Sequence, residues 1–315
     1  MEPRRTLISV VIPCFNQARY LPDAIESARS PEFEVEVIVV DDGSTDGTSD
    51  VAQRYGGVVI AQENSGLAAA RNRGFEAAQG TFVIFLDADD RLLPGGIDIA
   101  VRALAAHPEC AMTYGRCTMM GPDGTFWPTP EQPVVYLDHY ASLLRTNRIW
   151  MPAMAIFRRD ALVEAGGFRP GFDAAADYDL YLRLARRVAI HDHGQRVAAY
   201  RRHPPSMSGN ASRMLTDTLE VMRMNRLDAT EAGMDDEWRA GYTAWQDFYG
   251  TQLVEEIRAD LRACRYSAAA RKASVAARLA PEVFQRELGR ALRRRYAGRA
   301  IPAAEMTSAS RRAEI

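Results

Sequence analysis

Three carboxylates stand within four positions at Asp87, Asp89 and Asp90, directly after the apolar run 82–86. A continuous apolar run of this length suits a strand buried on both faces. Anions clustered at the end of such a strand repel one another and resist leaving water, and a divalent cation relieves both costs. Asp87 and Asp89 lie two apart, so in extended backbone they point to the same side. Taken alone, the pattern also describes a strand followed by a solvated acidic turn. Other chemistry-bearing residues sit at comparable places. Pro13-Cys14-Phe15-Asn16 follows the run 7–12, and Asp41-Asp42 follows the run 35–40. Asp177 and Asp179 open a helical pattern, and His203 lies in a basic stretch.

The elements that must position these residues follow from periodicity. Strands are predicted over 7–12, 35–40, 58–61 and 82–86, and helices over 20–29, 48–55 and 67–79. Pro13 stops the first strand, Pro22 fits a first helical turn, and Gly80 reads as a helix C-cap. Ser44 or Asp46 can cap the second helix. Strict alternation of strand and helix implies parallel strands, right-handed crossovers and helices on both faces. Ligands of such sheets bind beyond the carboxyl ends of the strands, where Pro13–Asn16, Asp41-Asp42 and Asp87–Asp90 converge. No Gly-x-Gly-x-x-Gly turn follows the first strand and no P-loop is present, which argues against dinucleotide and P-loop chemistry. Beyond residue 100 the pattern predicts helices over 97–107 and 159–165 and strands over 111–119 and 154–157. A turn is predicted at 121–124 and a proline-rich loop at 126–133. A helix lies within 168–187, and an irregular basic segment covers 198–208. Asp177 at that helix start is also where an N-terminal cap would sit.

Composition excludes several classes. The 315 residues carry a net charge of -2 with 47% apolar and 25% charged content, which is ordinary for a soluble globular protein and gives no global pull toward nucleic acid. Lys272 is the only lysine. The four cysteines show neither zinc spacing nor a disulfide framework, so a reducing, cytoplasmic compartment is expected. No apolar stretch reaches the length of a membrane span, and the N-terminal run lacks the features of a signal peptide.

Six pieces in order resemble a family 2 glycosyltransferase of the GT-A fold. They are Val10–Asn16, Val39–Thr48, Asn64–Gly74, Phe85–Asp90, Gly166-Gly167-Phe168 and Asp177–Arg183, and the likeness covers residues 6–208. The resemblance implies an α/β fold, a Rossmann-like mixed sheet flanked by helices. It implies transfer of a sugar from a nucleotide diphosphate (UDP-, GDP- or dTDP-sugar) to a hydroxyl of a glycan or lipid-linked acceptor. The roles carry over by position. Pro13, Phe15 and Asn16 resemble the wall around the base, and Asp42, with Asp41 as the other candidate, the carboxylate that reads it. Arg71 would lie near base or phosphates and Asp87 at the ribose, with Ala88 also in the nucleotide-sugar site. Asp89, with Asp87 and His203, would hold Mg2+ or Mn2+, whose preference is for hard oxygen ligands. His203 before two prolines also reads as a plain loop residue. Asp177 resembles the general base of an inverting reaction. The family usually has Glu before this Asp, and here the position is Ala176. The alternatives are a nucleotidyltransferase, which the Pro-Cys-Phe-Asn loop does not suit, and a non-catalytic sugar-nucleotide-binding protein.

Residues 1–208 are thus expected to form the catalytic domain, 209–300 a C-terminal helical extension, and 301–315 a disordered tail. Residues 258–315 hold 14 basic and 5 acidic side chains, a net of +9. The helix over 281–299 pairs an apolar face with Arg residues. Packing of that face on the protein is expected, with peripheral contact with the inner face of a membrane, from its charge, as the alternative.

Overall fold

The computed structural model describes residues 6–136, 138–203 and 207–297. The first half alternates as β1 (Leu7–Cys14), α1 (Leu21–Ser27), β2 (Glu34–Asp41), α2 (Thr48–Arg54), β3 (Val58–Ala61), α3 (Leu67–Ala77) and β4 (Phe82–Phe85). β1 pairs in parallel with β2 and β4, and β2 with β3. Val10, Val11 and Ile12 of β1 are fully buried, which explains the unbroken apolar run. The small residues of α3 let it approach the sheet closely: a Cβ on Gly74 would lie 2.3 Å from a methyl of Val11.

The second half comprises β5 (Arg91–Leu92), α4 (Gly96–Ala106), β6 (Cys110–Met120), β7 (Phe126–Trp127), α5 (His139–Arg145), β8 (Ala155–Arg158), α6 (Arg159–Ala165), α7 (Ala176–Arg187) and β9 (Ala189–Arg201). The sheet runs β3-β2-β1-β4-β8-β6-β9-β5, with β7 on β6. β8 is antiparallel to β4 and β6, while β6 and β9 are parallel, so the sheet is mixed. Residues 198–201, expected to be irregular, are the end of the 13-residue strand β9. Its polar middle, with Gly194 at φ +70° and breaks in register against β6, erases the alternation that marks a strand. α5 lies in a stretch to which the sequence reading assigns no element; Asp138 caps it by accepting from Ala141 N at 3.0 Å.

Gly80 is not the expected helix cap. α3 ends at Ala77 with Ala78 extended. Gly80 instead lies against β1, its N–H donating to Ser9 Oγ at 2.8 Å and Glu36 Oε1 at 3.0 Å. A Cβ there would meet Ser9 N at 2.6 Å and Leu7 O at 2.9 Å. The position needs glycine for close backbone approach rather than for a left-handed turn.

α8 (Ala211–Met224), α9 (Arg226–Glu231), α10 (Asp235–Arg262), α11 (Tyr266–Leu279) and α12 (Pro281–Ala297) complete the chain. The first compact unit runs to Trp245, beyond the residue 208 at which the sequence reading ends the domain. α8 and α9 belong to it because Leu215, Leu219, Met222 and Ala229 are buried. The second unit, from Gln246, buries Leu253, Ile257, Leu279 and Val283. Within it Lys272 bridges Glu256 at 2.8 Å and Asp260 at 2.9 Å, and Arg286 pairs with Asp247 at 2.9 Å. The expected tail, 301–315, lies outside the described residues, as do residues 298–299 at the end of the basic stretch. Among the described residues no helix is long and apolar enough to cross a membrane.

Gly80→Ala is expected to destabilise the protein by about 1–3 kcal/mol through overpacking against a backbone that cannot yield. A chemical-denaturation midpoint equal to wild type would contradict this account of Gly80.

Candidate active site

The ends of β1, β2 and β4 come level at one edge of the sheet. Cys14 stands opposite Asp41, and the N–H groups of Asp42 and Leu86 donate to Cys14 O and Val11 O. A cavity of about 440 Å³ opens there, lined by Pro13, Phe15, Asp42, Asp87, Ala88 and Asp89, and also by Asp173 and Arg213. Six of the residues singled out in the sequence therefore share one wall. Asn16 is a strut behind it: its Oδ1 accepts from Thr45 N at 2.8 Å and its N–H donates to Ser44 Oγ at 2.9 Å. Asp42 lines the cavity with both oxygens engaged. They accept from Gln62 Nε2 at 2.7 Å, Ser65 N at 2.8 Å and Gly66 N at 3.0 Å. This carboxylate holds the turn before α3 and keeps one lone-pair position for a ligand.

Arg71 sits on the inner face of α3 and is 2% exposed. Its Nη2 lies 2.8 Å from Asp87 Oδ1, and its guanidinium covers the Phe168 ring at 5.2 Å. Burial opposes the charge on Arg71, but Asp87 and Asp177 hold its pKa above the ordinary value. Phe168 is fixed in turn by Asn72, whose amide bonds the Phe168 backbone at 2.8 Å both ways. Asp177, in the first turn of α7, is half-buried and accepts from Tyr178 N at 2.8 Å. Burial lifts its carboxyl to about 6 against the pull of Arg71, and the charge of Asp87 adds to the rise. Tyr181, one turn on, has a fully buried hydroxyl with no hydrogen-bond partner. Burial, and then Asp177, push that phenol well up. Ala176 is fully buried.

His203 and Asp89 meet through Nε2 and Oδ2 at 2.8 Å. Asp90 is buried and accepts from Arg201 N at 2.7 Å. Burial first, then the charges of Asp89 and Asp87, push its carboxyl well above the usual range. Asp87 and Asp89 keep 29% and 23% of their side chains exposed. Two partly open carboxylates and an imidazole, with a third acid titrating high beside them, fit a hard divalent cation such as Mg2+ or Mn2+.

Among the described residues, Asp87, Asp89 and His203 are not drawn within 4.8 Å of one another, whereas one group of three metal-type donors is: His107, Glu109 and Cys110. They stand at the start of β6, whose register through β8 puts them level with the start of β4 and at the opposite edge of the sheet from Asp87. Burial and Glu109 push the Cys110 thiol up to about 11, so near neutral pH it holds a proton that a metal would have to displace.

Sequence reasoning missed Asp173, Arg213, Tyr181 and Arg201. Asp173 pairs with Arg213 of α8 at 3.0 Å and accepts from Ala68 N at 3.1 Å. Neither carries a motif; Arg213 arrives with α8, and Asp173 is held beside the cavity by its bonds to α3 and to Arg213. His203 was singled out, but its contact with Asp89 depends on the unforeseen strand β9.

A family model described as glycosyl transferase family 2 matches residues 9–166, half of the 315-residue chain. The chain belongs to glycosyl transferase family 2. The putative teichuronic acid biosynthesis glycosyltransferase TuaG of Bacillus subtilis is 37% identical over 128 residues, covering 38% of this chain and 50% of that protein. The uncharacterized protein MT1568 of Mycobacterium tuberculosis is 30% identical over 210 residues, covering 60% and 65%. The match takes in half or less of the length of the first curated relatives. Two solved structures show the same GT-A-like architecture. S. aureus TarS 1-349 in complex with UDP-GlcNAc superposes with a TM-score of 0.59 at 21% identity, over 74% of this chain and 71% of that one. The mannosyltransferase PcManGT from Pyrobaculum calidifontis, in complex with GDP-Man and Mn2+, gives 0.60 at 18% identity, over 92% and 81%.

Arg71→Met leaves Asp87 facing the other acids without its cation. Because Asp87 is partly solvated, the expected loss is about 1–3 kcal/mol at pH 7, less than for a fully buried pair. Adding Asp87→Asn should recover part of it; thermal unfolding of the two variants checks both statements.

Proposed function

We propose that this family 2 protein is a metal-dependent, inverting glycosyltransferase that moves a sugar from a nucleotide diphosphate to a hydroxyl of an envelope glycan or lipid-linked acceptor. The observation that carries this is the pair Asp87 and Asp89, open to one cavity at the end of β4 and held from behind by Arg71 and His203. The catalytic machinery is assigned to 1–208. Pro13, Phe15 and Asn16 shape the base wall and Asp42 offers its remaining lone pair to the base. Asp87 meets the ribose, and Ala88 belongs to the same nucleotide-sugar site. Asp89, Asp87 and His203 are the residues that would hold Mg2+ or Mn2+. When bound, the ion supplies positive charge that offsets the charge of the departing diphosphate.

Asp177 is assigned as base. The acceptor oxygen forms a bond to the anomeric carbon on the face opposite the leaving group, the bond to the diphosphate oxygen breaks, and the acceptor proton passes to the Asp177 carboxylate. The configuration inverts and a nucleoside diphosphate leaves. A carboxyl raised to about 6 is ionised near pH 7 yet more basic than an ordinary aspartate. Arg71, whose charge is favoured by both Asp87 and Asp177, makes the two anions tolerable near one another. The words TuaG and UDP-GlcNAc carry for related proteins support an envelope glycan and a nucleotide sugar. A peripheral membrane contact on the cytoplasmic side through 281–299 rests on charge; Val283 is buried and Arg286 is paired within the second unit.

A thermal-shift screen of nucleotide sugars with and without Mn2+ should show one donor that stabilises only with the ion. Asp89→Ala should abolish the metal-dependent part of that binding in calorimetry; undiminished binding removes the site. Release of pyrophosphate instead of a nucleoside diphosphate would assign a nucleotidyltransferase. Asp177→Asn should keep donor affinity and lose about 10²–10⁴-fold in turnover. The wild-type rate should fall about tenfold per pH unit below about 6, because the base becomes protonated there. A rate flat from pH 7 to 5 would exclude Asp177 as the base.

A further inference from the structure

Arg201 closes β9 at the same sheet edge as the acidic turn and is 2% exposed. Its four donors are spread over three pieces of the fold. The backbone N–H reaches Asp90 Oδ1 at 2.7 Å and Nε reaches the carbonyl of Asp89 at 2.6 Å. Nη1 reaches the Pro122 carbonyl at 3.2 Å in the turn after β6, and Nη2 reaches Asp23 Oδ2 of α1 at 2.7 Å. Asp23 also takes Arg91 of β5. The guanidinium carbon lies over the Tyr20 ring at 4.7 Å, and the same ring meets the His203 imidazole at 4.8 Å. His203 then returns to the Asp89 side chain. The contacts form a closed circuit: Asp89 carbonyl, Arg201, Tyr20, His203, Asp89 carboxylate.

We propose that Arg201 is a positioning residue that, with Tyr20, fixes Asp89 and His203 relative to each other and so sets the affinity of the site for a divalent cation with a nucleoside diphosphate. The inference rests on the reading of Asp89 and His203 as cation-holding residues. An arginine placed only to neutralise Asp23 needs one contact; this one also grips the backbone of Asp89 and covers the ring that backs His203. A planar fork with five donors can do this and an ammonium cannot, since it reaches one acceptor cluster and presents no flat face. Partners of this kind behind metal-holding side chains are worth about 10–100-fold in metal affinity.

The test uses the full chain and whichever of UDP, GDP or dTDP binds wild type in the presence of Mn2+. Free Mn2+ is read by electron paramagnetic resonance, and nucleotide affinity by calorimetry with Mn2+ and with chelator. Arg201→Lys and Tyr20→Leu are each expected to weaken Mn2+ binding in the presence of nucleotide by about 10–100-fold, with affinity in chelator unchanged. A folded Arg201→Lys with wild-type Mn2+ affinity, or a loss equal with and without the metal, overturns the proposal. If Arg201→Lys does not fold, Tyr20→Leu decides by the same two readouts. Asp89→Ala is the separate control. If it binds Mn2+ and nucleotide as wild type does, the reading of the site fails first and the inference falls with it; if it loses binding while both positioning variants keep it, only the inference fails.

Discussion

Like charges at the end of a buried strand are the constraint on which the rest of the site depends. Two unit charges about 4 Å apart repel by about 4 kcal/mol at an effective dielectric of about 20. That is a large share of the net stability of an ordinary domain, so the acids at Asp87, Asp89 and Asp90 need an answer within the fold. Each receives a different one. Asp87 has the guanidinium of Arg71, Asp89 has the imidazole of His203, and Asp90 is buried with its carboxyl pushed up. The two acids paired with the Arg71 and His203 side chains remain partly open to the cavity, and Asp90, bonded to the Arg201 backbone, does not.

These answers come from different parts of the chain, which explains features of the fold that look unrelated to chemistry. α3 must lie close to the sheet for Arg71 to reach Asp87, and its small residues, with Gly74 against Val11, allow it. β9 must return beside β6 for Arg201 and His203 to arrive at the acidic turn. α7 must begin near Arg71 for Asp177 to join the same field. The charge of Arg71 is thus favoured by both the acid assigned to the donor side and the acid assigned as base.

The resemblance and the geometry support the same reading from different directions. The family match ends at residue 166, before α7, β9 and α8. Asp177, Arg201, His203 and Arg213 all lie beyond it, yet they surround the same edge of the sheet. Ala176, at the position where the resemblance implies a carboxylate, is buried.

The sequence by itself determined the alternating first half, the strand ends that share the cavity and the candidacy of Asp177. Local pattern suffices there: buried parallel strands need unbroken apolar runs, and residues just past their ends must gather at one edge. It misjudged Gly80, whose role is contact with β1 rather than a helix cap, because a glycine gives the same local signal for both. It missed β9, α5 and the placement of α8, and with them Arg201, Asp173 and Arg213. Tertiary structure alone decided these. β9 is held by pairing with a strand some eighty residues earlier, despite a polar, bulged middle that breaks the two-residue period. The partners of the acidic turn are likewise long-range, and no spacing along the chain encodes a contact that only folding brings within 3 Å.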